Sequence, residues 1–170
     1  MNNRKQQNVT KALFIIYLIV LTWIILFKMQ IHITEIFQAR YRNVNLVPFQ
    51  GSLATNKMTA FKEIIMNVII FVPYGVYISM LKENWNILKR TAPIFLTSLA
   101  YESLQYILSI GASDITDLIG NTLGGISGVV LFWLLSKVLK DNTIKVINIL
   151  ALIGTVFMAG LLGMLVIANL

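Results

Sequence analysis

The sequence predicts an all-α fold: a polytopic integral membrane bundle of about five transmembrane helices, built as one domain over residues 1–170. Three observations carry this. Apolar residues make up 57% of the chain and charged residues 12%, against about a half and about a quarter in a soluble domain, and the mean hydropathy is +0.77. The apolar residues gather into runs of about the 20 residues that one bilayer-crossing helix needs. None of these runs alternates apolar with polar as a barrel strand would, so helices that satisfy their own backbone hydrogen bonds are the economical solution in lipid.

The predicted spans run over residues 12–29, 63–81, 91–110, 116–139 and 146–168. The first follows Arg4, Lys5 and Lys11, a basic front like that of a signal peptide, but it is long and no small-residue cleavage site follows. It is read as a retained first helix. The second contains Pro73 and Gly75, which predict a kink. The fourth contains Gly120, Gly124 and Gly128, two overlapping GxxxG steps whose simplest reading is close helix packing. Between the first two spans lies a long loop, residues 30–62. Its apolar residues Ile31, Ile33, Ile36 and Phe37 predict a segment on the membrane surface, with Phe49 after Pro48 as an interfacial anchor.

Lys and Arg sit in the short stretches between apolar runs, which is membrane topology and not a nucleic-acid face. The clusters Arg4–Lys5–Lys11, Lys82–Lys89–Arg90 and Lys137–Lys140–Lys145 place the N-terminus inside and the C-terminus outside. The first loop opposes this with Lys28, Arg40, Arg42, Lys57 and Lys62, but the reverse orientation would export the other clusters. The chain has no cysteine and one histidine, His32, read as interfacial. Disulfides, thiolate metal sites and His-rich centres are excluded, and neither metal nor cofactor is expected.

Polar residues inside the spans are the functional candidates. A charged Glu102 in mid-span costs about 2.5–3.5 kcal/mol on insertion scales, so it should face a partner or a cavity. Gln105 follows three residues on, on the same face, and Asn67 offers an amide from span two. In span four Asp114, Asp117, Asn121, Gly124, Gly125 and Gly128 fall within an arc of about 100° on one helix face. In the favoured orientation these groups share the outer leaflet, with Glu102 roughly 12 Å below its helix end. The predicted feature is a polar pocket of Asn67, Glu102, Gln105, Asp114, Asp117 and Asn121. The plainer reading of Asp114 and Asp117 is helix capping at the start of span four.

The pieces NLVPF (residues 45–49), NVIIFVPYG (67–75), YESLQ (101–105) and IGASDITDLIGNTLGG (110–125), in this order and spacing, resemble the VanZ family of bacterial membrane proteins. The resemblance runs from about residue 12 to 139. The likeness is greatest to the branch found with glycopeptide resistance, whose members lower susceptibility to teicoplanin and related lipoglycopeptides. Asn67, Phe71, Pro73 and Gly75 match one signature, Glu102 and Gln105 a second, and Asp114, Asp117, Asn121 and Gly124 a third. One departure is Gly111, where many members carry an Arg. An anion or phosphate contact would then fall to Arg40 or Arg42.

The function this implies is resistance at the outer face of the cytoplasmic membrane. The pocket would bind a lipid-linked peptidoglycan precursor or the drug's lipid tail. A second reading is an intramembrane enzyme acting on a lipid phosphate or glycolipid, with Glu102 as base and Mg²⁺ on Asp114 and Asp117. A third is a small lipid flippase, which with few spans and no internal repeat would need a homo-oligomer built on the glycine faces.

Overall fold

A computed structural model describes residues 3–27, 41–49 and 57–168. Among these the chain forms five α-helices: α1 (Asn3–Phe27), α2 (Lys57–Leu81), α3 (Ile87–Leu108), α4 (Ile115–Leu139) and α5 (Thr143–Ala168). A single 3-10 turn, Lys140–Asn142, joins α4 to α5. Three helical stretches are long and apolar enough to cross a membrane: Arg4–Phe27, Phe61–Leu81 and Ile115–Leu161, the last running from α4 into α5. The expected count of about five spans is not confirmed by these apolar stretches. Helix α3 is not among them; its buried face carries Ser98, Glu102 and Gln105.

The fold is not purely helical. Strands β1 (Tyr41–Asn45) and β2 (Ile110–Asp114) pair in parallel, with Tyr41 opposite Ile110 and Asn45 opposite Asp114. The expected third span therefore ends early. Helix α3 stops at Ser109, whose left-handed backbone (φ 56°) lets its N–H reach the carbonyls of Gln105 and Tyr106. The next five residues lie flat as β2 before α4 begins. A backbone turning back at the end of a bundle must find hydrogen-bond partners, and β1 supplies them. Parallel pairing needs a long crossover, here the α2–α3 hairpin.

The tightest helix pair is α2 against α4, and it is made by backbone meeting backbone. A Cβ added at Gly75 would overlap the Gly125 carbonyl oxygen, one at Gly124 that of Val68, and one at Gly128 that of Val72. Gly125 opens the other side of α4 to Ile94 of α3. The helix pair thus uses small residues for close approach, as expected where lipid offers no hydrophobic drive. Helix α2 runs unbroken through Pro73. Proline removes one intrahelical donor there, and the Tyr17 hydroxyl of α1 donates to the nearby Ile70 carbonyl at 2.7 Å. Around this bond Phe14, Tyr17, Tyr74 and Tyr77 pack ring on ring at 5.2–6.4 Å, fastening α1 to α2.

Among the described residues, α5 is held to the bundle near its start. Gln6, Thr10 and Asn148 are all buried. Asn148 Nδ2 donates to Gln6 Oε1 (3.0 Å) and to the Gln6 carbonyl (3.2 Å), while Thr10 Oγ1 lies 3.0 Å from both the Gln6 carbonyl and Asn148 Oδ1. Beyond this clamp Val156, Phe157, Met164 and Ile167 are exposed, the pattern of a helix facing lipid. Polar bonds between membrane helices average about 0.6 kcal/mol, but stranding a buried partner costs about 1–3 kcal/mol. Asn148→Leu is therefore expected to destabilise the fold by about 1–2 kcal/mol, read as a lowered melting temperature in detergent. An unchanged melting temperature would mean that the clamp carries no net stability.

Candidate functional site: a polar cavity at the strand end of the bundle

A cavity of about 180 Å³ opens beside the two-stranded sheet, lined by Ile24, Ile25, Met66, Asn67, Ile70, Glu102, Gln105, Asp117 and Asn121. At about 30 Å³ per water, it has room for about six waters. It lies where the C-terminal half of α1, the N-terminal half of α2, the C-terminal half of α3 and the start of α4 meet. One wall is polar, from α3, α4 and Asn67 of α2. The other is apolar: Ile24 and Ile25 of α1, Met66 and Ile70 of α2.

The polar wall is two short ladders at helical spacing. On α4, Asp117 Oδ1 accepts from Asn67 Nδ2 at 2.6 Å. One turn deeper, Asn121 Nδ2 donates to Ser98 Oγ at 2.9 Å. On α3, Ser98, Glu102 and Gln105 follow one another up the same buried face. Glu102 Oε2 accepts from the Asp114 backbone N–H at 2.8 Å, and Gln105 Nε2 donates to the Ile25 carbonyl at 3.0 Å. Two buried oxygens in this wall, Gln105 Oε1 and Asn121 Oδ1, have no hydrogen-bond partner. Buried polar atoms are rarely left so, and both residues line the cavity.

Asp114 stands one step behind the cavity and is not among its lining residues. It is the N-cap of α4: Oδ1 accepts from Thr116 N–H at 2.7 Å, and Oδ2 accepts from Asn45 Nδ2 at 3.0 Å. The segment after β1 follows the same path, since the Phe49 N–H donates to Thr116 Oγ1 at 3.0 Å, with Phe49 at φ 62°. The NLVPF segment thus docks on the first turn of α4, while its own N–H makes Asp114 the orienting partner of Glu102. Phe49 keeps half its surface exposed.

Five of the six predicted pocket residues line the cavity, and Asp114 braces it from behind. Gly120 sits against Asn67 with room for a methyl group, whereas Gly124 and Gly128 do not. Of the predicted anion contacts, Arg42 falls in β1 opposite Gly111. Arg40 lies outside the described residues, as do His32 and the interfacial residues Ile31, Ile33, Ile36 and Phe37. No three His, Cys, Asp or Glu among the described residues group as ligands for an ion. Sequence reasoning missed Asn45, Ser98 and the α1 wall. Ser98 was legible one turn before Glu102 and Asn45 opens the NLVPF piece, but nothing local gave Asn45 its bond to Asp114 or pointed to Ile25.

A protein-family model described as VanZ/LLP1 matches residues 14–136. The chain belongs to the VanZ/LLP1 family. Among curated proteins, Protein VanZ of Enterococcus faecium is 38% identical over 148 residues, covering 85% of this chain and 88% of that protein. No solved structure matches the chain. The VanZ/LLP1 match spans every element of the cavity wall and ends inside α4. All of α5 therefore lies beyond it.

Proposed function

We propose that this chain lowers susceptibility to teicoplanin and related lipoglycopeptides by holding a lipid-linked cell-wall precursor, or the drug's lipid tail, in the cavity. Membership of the VanZ/LLP1 family and the similarity to Protein VanZ support the resistance role. The observation that carries the binding role is the pair of buried, unpartnered oxygens on Gln105 and Asn121 beside two carboxylates. That is a wall built to accept a ligand's donors. At about 180 Å³ the cavity suits a headgroup or a short chain and not a glycopeptide core.

In this reading five helices cross the cytoplasmic membrane of a bacterium, with the N-terminus inside and the C-terminus outside. Supporting it, Lys82, Lys89, Arg90, Lys137, Lys140 and Lys145 all belong to the end of the bundle opposite the cavity. There Lys137 lies 3.5 Å over the Trp133 ring and Lys82 5.2 Å from that of Trp85, the cationic and aromatic pattern of an inner interface. The cavity then opens outward, where lipoglycopeptides meet their target. Binding is favoured over enzymatic action because the Asp114 carboxylate is committed to Thr116 and Asn45.

The test is a matched set, Glu102→Gln, Asp117→Asn and Asn121→Ala, scored for teicoplanin and vancomycin susceptibility at equal membrane levels. Each variant is expected to lose most of its protection against teicoplanin. Three well-expressed variants that protect fully would overturn the reading.

A further inference from the structure

The hydrogen-bond bookkeeping of the cavity specifies its ligand further than the family does. Among the described residues, each side-chain amide lining the cavity gives one N–H of its NH₂ group to the protein: Asn67 to Asp117 (2.6 Å), Gln105 to the Ile25 carbonyl (3.0 Å) and Asn121 to Ser98 (2.9 Å). For Asn67 and Gln105 the partner is a carboxylate and a backbone carbonyl, which only accept, so these amides cannot be turned round. The polar atoms of this wall left wholly without a partner are acceptors. Gln105 Oε1 and Asn121 Oδ1 are buried without a partner, and their residues are 5% and 1% exposed. The carboxylates of Glu102 and Asp117 line the same cavity, and among the described residues no Lys, Arg or His lines it.

A sugar or glycerol hydroxyl brings one donor and no charge, so it answers the bare acceptors but not the two carboxylates. A phosphate brings only acceptors and negative charge. A primary ammonium has three donors, no acceptor and a positive charge, and it answers every feature of the wall. The opposite wall of Ile24, Ile25, Met66 and Ile70 suits the methylenes that carry such a group. We propose that the cavity binds a primary ammonium on a short alkyl stem. This rests on the reading of the cavity as a binding site and names the group recognised there. The same chemistry can come from an aminoalkyl lipid headgroup or from a soluble amine.

The full chain in nanodiscs tests it with two kinds of probe. Native mass spectrometry would follow lipid retained from an equimolar mixture of phosphatidylethanolamine, phosphatidylcholine and phosphatidylglycerol. In nanodiscs of phosphatidylglycerol alone, thermal unfolding would be followed with n-butylamine and with n-butanol. The proposal expects either a preference of about tenfold or more for phosphatidylethanolamine over both other lipids, or stabilisation by butylamine and not by butanol. The first outcome assigns a lipid source, the second a soluble one. Glu102→Gln and Gln105→Leu should each remove the preference, while Gly160→Ala, on the exposed part of α5, should keep it. Equal retention of the three lipids with no butylamine effect overturns the proposal, and this needs no variant to fold. So does a preference for phosphatidylglycerol that depends on Glu102, although the cavity would then still be a binding site. Only full protection by the resistance variants above removes the binding site itself.

Discussion

Alanine at Gly124 or Gly128 is expected to cost about 3 kcal/mol or more and to remove most folded protein from the membrane. Ordinary overpacking costs about 1–3 kcal/mol because side chains can swing aside. Here the added methyl groups would overlap the carbonyl oxygens of Val68 and Val72, and backbone cannot swing without parting the helices. Since α2 and α4 carry Asn67, Asp117 and Asn121, any parting also opens the cavity. Two neighbours make the comparison sharp. Gly120→Ala meets Asn67 Cβ at 3.5 Å, ordinary contact, and Gly160→Ala meets nothing within 4 Å. Both should stay within about 0.5 kcal/mol of the parent, with a slight gain from helix propensity. The measurement is unfolding in mixed micelles; a Gly124→Ala protein as stable as Gly160→Ala would refute the backbone-contact account.

Removing the Asp114 side chain should cost about 2–4 kcal/mol, the second large effect. Loss of an N-cap accounts for about 0.5–2 kcal/mol, and leaving Asn45 without its carboxylate for about 1–3 kcal/mol more. The two parts separate experimentally. Asp114→Asn keeps an oxygen for the Thr116 N–H but turns a second donor toward Asn45 Nδ2, so it should recover the cap and not the strand tether. In a double-mutant cycle, Asn45→Ala should therefore cost much less in the Asp114→Ala background than alone. Equal costs in both backgrounds would show that β1 is held without this bond. Asp114→Ala keeps the backbone N–H that holds Glu102 but loses the cap and strand tether that fix where that N–H points, so protection against teicoplanin should fall more than the stability loss at equal membrane level explains.

Much of the site was legible in the chain because membranes make polar residues conspicuous. Glu102, Gln105, Asp117 and Asn121 stand out in apolar runs, and helical periodicity alone puts each pair on one face. Their convergence with Asn67 followed from the alternating direction of successive spans. The strands were not legible. YRNVN and IGASD lack the alternation that marks a strand by itself, and their pairing joins residues 69 apart, Asn45 with Asp114. The Gln6–Thr10–Asn148 clamp was missed for a related reason. Each residue looks unremarkable near a helix start, and only the contact between the first and last helices makes them a buried set.

The division has a physical cause. Composition and periodicity determined that the chain is a helical membrane protein, and which polar residues had to be sheltered from lipid, because those are properties of single segments against their solvent. Tertiary structure alone decided that Asp114 braces the cavity while Glu102, Gln105, Asp117 and Asn121 line it, that α1 contributes to the apolar wall, and that two amide oxygens are left bare while each amide nitrogen is bonded within the protein. Those facts depend on which way a side chain turns when a particular neighbour arrives: Ile25 for Gln105, Ser98 for Asn121, Asn45 for Asp114. No single segment contains both halves of such a bond.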